Sequence, residues 1–203
     1  MEADRLAQLG LTVQEGAAGP EVVLPLQGSV VNPLTRRPVP AVTLAVAEEL
    51  LIPVDPPELV GLPPLAVHTT TDAPELEAQL LAGFDGHVAR LQAMASRLEA
   101  LGLAPCVDPG TLEVRAEALL GALRLLLGGD KQGRLRILEV HRAGALLRAE
   151  VGAPFALTQF ADAGSFQAHL LTLVGDVPAP RNGIGYVELA ERFGPTARVP
   201  PTS

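Results

Sequence analysis

The chain has 203 residues, 48% of them hydrophobic, with 23 acidic against 15 basic side chains for a net charge of −8. That supplies a core of domain size and disfavours a general nucleic-acid binder or a binder of anionic membranes. One cysteine, Cys106, excludes an intrachain disulfide framework and a multi-cysteine metal site, and every apolar run is too short or too broken by charge to cross a bilayer.

The opening MEADRLAQLG is polar and acidic, unlike a secretory signal, so the expected compartment is the cytoplasm. Residues 20–64 hold ten of the 19 prolines, in stretches such as GPEVVLPLQGSVVNPL and LIPVDPPELVGLPPL. Proline fixes φ and removes a backbone donor, so this density argues against a central strand or a long helix. A short helix over Val42–Leu51 fits between prolines, with edge-strand fragments at Glu21–Leu26 and Gln27–Val31. The segment is nevertheless rich in valine and leucine, unlike a disordered linker. Residues 1–67 are therefore expected to form an extended arm that lays its apolar side chains on another surface, either its own core, another copy or a protein partner. The side chains expected to make that contact are Val22, Val23, Leu24, Leu26, Val30, Val31, Leu34, Val39, Leu59 and Leu62.

The clearest element follows. Asp72 reads as an N-cap with Glu75 three residues on, and Leu76, Leu80, Phe84, Val88, Leu91, Ala95 and Leu98 recur on one helical face. Gly102 is a natural stop, giving a helix of roughly 28 residues and about 40 Å. Asp108-Pro109-Gly110 then signals a type II turn with Gly110 at positive φ. Leu112, Val114 and Ala116 alternate with Glu113, Arg115 and Glu117 as in a half-buried strand, although Leu112, Ala116, Leu119, Leu120, Leu123 and Leu127 also make a helical stripe. The turn signal and Gly121 favour strands.

Gly128-Gly129-Asp130-Lys131-Gln132-Gly133 invites comparison with a phosphate-binding loop. Its lysine precedes the last glycine, no Ser or Thr follows, and RLRILEV alternates like a strand, so the loop is a hairpin connection. Another tight connection falls at His141–Ala145, and Asp162 caps a helix carrying Phe166, Leu170 and Leu173 that Gly175 stops. A last short helix, YVELAERF, and an extended tail complete the chain. The expected fold is α+β, a long helix and C-terminal helices packed on an antiparallel β-meander, with the proline-rich extended arm in front. The division is 1–67 arm, 68–177 core domain, 178–203 short helix and tail.

Chemistry-bearing residues are sparse. His68, His87, His141 and His169 share no metal-ligand spacing and are expected at the surface or its boundary. Asp85 and His87, two apart on a helix, point away from each other. Four serines and Cys106 supply the nucleophiles, without a Gly-x-Ser-x-Gly elbow. Arg115, Arg124, Arg134, Arg136, Arg142 and Arg148 can decorate one sheet face, yet no aromatic lies between Phe84 and Phe155 to stack a base. The glycines of RNGIGYVEL read as a flexible entry loop. No cofactor and no metal are expected. The favoured function is a non-enzymatic structural or interaction protein, an assembly component or adaptor whose apolar arms engage a protein partner or another copy. In the order of its elements, over about half the chain, the acidic helix–sheet–helix body is loosely similar to secretion-chaperone folds, which implies a client-binding module. A third expectation is an enzyme whose site, with His141, Cys106 and Arg142 as candidates, forms no motif.

Overall fold

The computed structural model describes residues 3–175. The expected short helix and tail of 178–203 lie outside the described residues. The fold is α+β, with two five-stranded antiparallel meanders. The described residues divide into two compact units, one of the residues up to Ala93 with Val107–Glu113, the other of Met94–Cys106 with the described residues from Val114.

In the first unit, α1 (Ala3–Gln8) precedes β1 (Thr12–Gly16), β2 (Gly19–Pro25), β3 (Ala41–Ala47), β4 (Leu50–Asp55) and β5 (Leu65–Ala66), paired in that order. Residues 1–67 are thus not an extended arm but largely a folded sheet with its own core. The expected helix over 42–51 is replaced by the β3–β4 hairpin. Val42 and Leu44 point inward, fully buried, while Thr43 and Ala45 point outward, which is the two-residue alternation of a strand. Pairing with β2 (Leu24↔Val42, Val22↔Leu44) overrides the helix preference of alanine and leucine. The prolines are accommodated at the places a sheet allows. Pro25 ends β2, and Pro53 pairs with Leu44 beside a bulge in the β3–β4 ladder. Of the expected strand at 27–31 only an isolated bridge, Val31↔Pro38, forms. The β3–β4 turn is made by Glu48 and Glu49, with Glu48 at φ +52°.

Helix α2 (Ala73–Ala100) has the expected start and length, Asp72 Oδ1 accepting from the Glu75 amide at 2.9 Å. Its buried residues are Leu76, Leu80, Phe84, His87, Leu91, Met94 and Leu98. His87 and Met94 take the places expected for Val88 and Ala95, a shift of one position that keeps the 3.6-residue period and lets His87 reach the Leu112 carbonyl. In the first unit Gln79 exchanges two hydrogen bonds with the Ala66 backbone, and Glu77 accepts from the Gln27 amide, so the helix is tied to the sheet's inner side. Arg5 on α1 donates to the carbonyls of His68, Thr69 and Thr71, just before α2 begins.

The Asp108–Glu113 loop departs from the expected type II turn, since positive φ falls on Leu112 (+54°) and not on Gly110. Asp108 Oδ1 accepts from the Gly110 and Thr111 amides and organises the turn itself. Two buried polar side chains hold the loop: Asn32 Nδ2 donates to the Pro109 carbonyl at 2.8 Å, and His87 Nε2 lies 3.0 Å from the Leu112 carbonyl. The left-handed backbone at Leu112 is over-determined by these bonds and by burial of its side chain.

The second sheet comprises β6 (Cys106–Val107), β7 (Val114–Leu120), β8 (Leu123–Gly129), β9 (Arg134–Arg142) and β10 (Ala145–Ala156), again a meander. Val114, Ala116, Ala118 and Leu120 are buried in strict alternation, so the strand reading of this stretch stands over the helical one. Two register shifts interrupt β10 at the sheet margin, which blunts an otherwise long edge. Helix α3 (Ala163–Val174) starts at Asp162 with a full capping box and buries Phe166, Leu170 and Val174.

Candidate interaction surface

Of the ten apolar residues assigned to partner contact, seven lie in the first unit's own core: Val22, Leu24, Leu26, Val30, Val39, Leu59 and Leu62. They are spent on folding. Val23 is half-buried on the outer face of the sheet, and Val31 and Leu34 are exposed in the 26–40 connection.

The same alternation that buries one face of the first sheet fixes what the other face shows. Val23 pairs with Thr43, Ala45 with Ile52, and Ala47 with Leu50. The central strand β3 therefore presents Ala41, Thr43, Ala45 and Ala47 as a floor of small side chains. The flanking strands raise Val23 on one side and Leu50, Ile52 and Val54 on the other, the last three 36–41% exposed. Val54 is the extra residue of the β4 bulge, between Pro53 (opposite Leu44) and Asp55 (opposite Thr43). The result is a shallow apolar trough along β3. No lysine or arginine occurs in any of the five strands or in the two tight turns, whereas Glu15, Glu21, Glu48, Glu49 and Asp55 do. The charged side chains that these strands and turns themselves contribute around the apolar surface are thus all carboxylates. The nearest cations along the chain, Arg36 and Arg37, are exposed residues of the 26–40 connection.

The outer face of the second sheet is a useful contrast. Its register aligns Arg115 with Gly128 and Arg136, Glu117 with Leu126 and Glu139, and Leu119 with Arg124 and His141. Ion pairs cross it, Arg124 with Glu117 and Arg136 with Glu150 at 3.7 Å, and along β9 His141 Nε2 lies in hydrogen-bond contact with Glu139 Oε2 at 2.7 Å. The Arg124 guanidinium, by hydrogen bond and charge, holds the Glu117 carboxyl below the usual carboxylate range, and Glu117 in turn raises Arg124. Arg115, Arg124 and Arg136 thus share one solvated face with acids, and Leu119, 73% exposed, stands among them.

The remaining candidates are dispersed. His87 is buried, contrary to the expected boundary position, because it is needed to hold the 108–113 loop. His169 packs among Phe155 and Phe160, at ring distances of 4.7 and 5.1 Å. Cys106 is exposed on β6, three strands from His141 on β9, or about 14 Å at ordinary strand spacing, so the two do not meet. Gly128 and Gly129 are still paired in β8, and the β8–β9 connection is residues 130–133, Asp130 Oδ1 accepting from the Gln132 and Arg134 amides. A cavity of about 370 Å³ opens beside the start of α2, lined by Leu9, Leu11, Leu24, Pro25, Pro74 and Glu77. Glu77, its one charged side chain, already accepts from the Gln27 amide. Among the described residues no group of three or more His, Cys, Asp or Glu side chains is placed to hold a metal ion, and no helix is long and apolar enough to cross a membrane.

Compared with known proteins, the chain matches no family model, no curated protein and no solved structure.

Proposed function

We propose that this protein is a non-enzymatic interaction module, an adaptor that engages a protein partner through the outer face of its first sheet. The observation that carries the reading is the contrast between its two sheets. One outer face sets its exposed leucines, Leu119 and Leu146, on separate strands among ion pairs, while the other sets Leu50, Ile52 and Val54 side by side along one strand, on a chain with net charge −8. Contiguous exposed apolar surface of this kind marks contact sites in folded proteins. Contact by the 1–67 segment is retained in this reading, but through the free side of a sheet and not through an extended arm.

The dimensions set the scale of the interaction. Three strands at ordinary spacing with their side chains, and seven residues along β3, give a patch of roughly 400 Å², so a partner buries about 800 Å² in total. That is the range of transient encounters, which favours an adaptor over a permanent structural subunit.

A photo-cross-linking side chain at Ile52 tests the reading in cells. It should give a discrete protein adduct that Leu50→Glu removes, while the same group at Leu119 on the second sheet gives none. Equal adducts at both positions, or none at Ile52, would sink the proposal.

A further inference from the structure

We infer that the occupant of this trough is an amphipathic helix of another protein, apolar along one side and flanked by lysine or arginine. The inference rests on the reading of the first sheet's outer face as a docking surface, and adds the partner's shape and charge.

Shape comes from the strand order. β2 and β4 stand on either side of β3, two strand spacings or about 10 Å apart, and that matches the 10–12 Å width of an α-helix. The floor of Ala41, Thr43, Ala45 and Ala47 lets a backbone come close, while Val23, Leu50 and Ile52 form walls. Seven residues of β3 run about 23 Å, the length of a helix of about 15 residues.

Charge comes from the border. Glu48 and Glu49 close one end, Asp55 the other, and Glu21 stands on the β2 wall beside Ala45. A helix with basic flanks places its charges against these carboxylates when its apolar stripe enters the trough. A second copy of the chain brings an identical acidic border to the same contact, where like charges oppose its approach.

The test uses the full chain and two synthetic amphipathic helices of about 15 residues, identical in their leucine stripe but flanked by lysine in one and glutamate in the other. Binding followed by fluorescence anisotropy should favour the lysine peptide by about tenfold or more, and added salt should erode that preference. Ile52→Glu should abolish binding, and Glu48→Lys with Glu49→Lys should turn the preference toward the glutamate peptide. Equal binding of both peptides, or binding of neither, overturns the helix assignment. The docking surface itself survives that result if the Ile52 cross-link persists. A dimer in sedimentation that Ile52→Glu dissociates also overturns the assignment, in favour of a second copy on the same face. Loss of both the peptide preference and the cross-link removes the surface and its occupant together.

Discussion

Gly129 ends β8 directly beneath Met94, and a Cβ there would overlap the methionine sulfur and stand 3.5 Å from Val114 Cβ. Both neighbours are buried, so neither can swing into solvent. Gly129→Ala should therefore destabilise the protein by about 1–3 kcal/mol, the usual cost of overpacking. It should lower the urea midpoint while leaving the dependence on denaturant unchanged, because the surface exposed on unfolding is nearly the same. Neither this constraint nor that on Leu112 is legible in the sequence. A glycine in a Gly-Gly-Asp run reads as turn chemistry, yet Gly129 lies inside the strand for a packing reason, and the turn's own positive φ is at Gly133. Likewise Asp-Pro-Gly advertises a glycine-dependent turn, and the structure assigns the left-handed backbone to a leucine held by side chains distant in sequence, Asn32 and His87. Local signals cannot report such contacts.

Helix α3 shows the opposite case, in which local chemistry suffices. Asp162 Oδ1 accepts from the Ser165 amide at 2.7 Å, and the Ser165 hydroxyl lies within reach of the Asp162 backbone, a reciprocal cap visible in the sequence as Asp-Ala-Gly-Ser. The Ser165 backbone bond, aided by the Ser165 side chain, holds the Asp162 carboxyl below the ordinary carboxylate value. A depressed folded value means that the stabilisation is fully present above the unfolded pKa, about 3.9, and is lost as pH falls through the folded one. Thermal midpoints measured across the acid range should show this loss, and Asp162→Asn, which keeps an acceptor but no charge, should flatten it. Helix α2 is legible in its start, length and stop, because its cap and glycine stop agree, although its buried stripe is offset by one residue at His87 and Met94. The β3–β4 hairpin was not. VTLAVAEELL satisfies helix propensity well, and only its pairing with β2, a long-range contact, makes it a sheet.

At the scale of the whole chain, the sequence announced a meander and one core spanning 68–177, and the structure has two meanders. Proline density concealed the first of them, since prolines at strand ends and beside a bulge remove few ladder bonds. The two compact units meet in sequence inside α2, after Ala93, where an unbroken apolar stripe gives no sign of a boundary. The surface proposed for docking was half legible for the same reason. Its segment is identified by apolar content, but which side chains face out depends on strand register, which buries Val22, an expected contact residue, and exposes Ile52, which is not one. One residue of its border has a wider meaning. Glu48 turns the chain at φ +52°, a conformation that costs an ordinary L-residue about 1–2 kcal/mol and glycine almost nothing. Glu48→Gly should accordingly raise the melting temperature, and it should also loosen the grip on a basic helix, measured on the same sample. An engineer seeking a hardier molecule would then be dulling its adhesive rim, with robustness and recognition set against each other at a single hairpin tip.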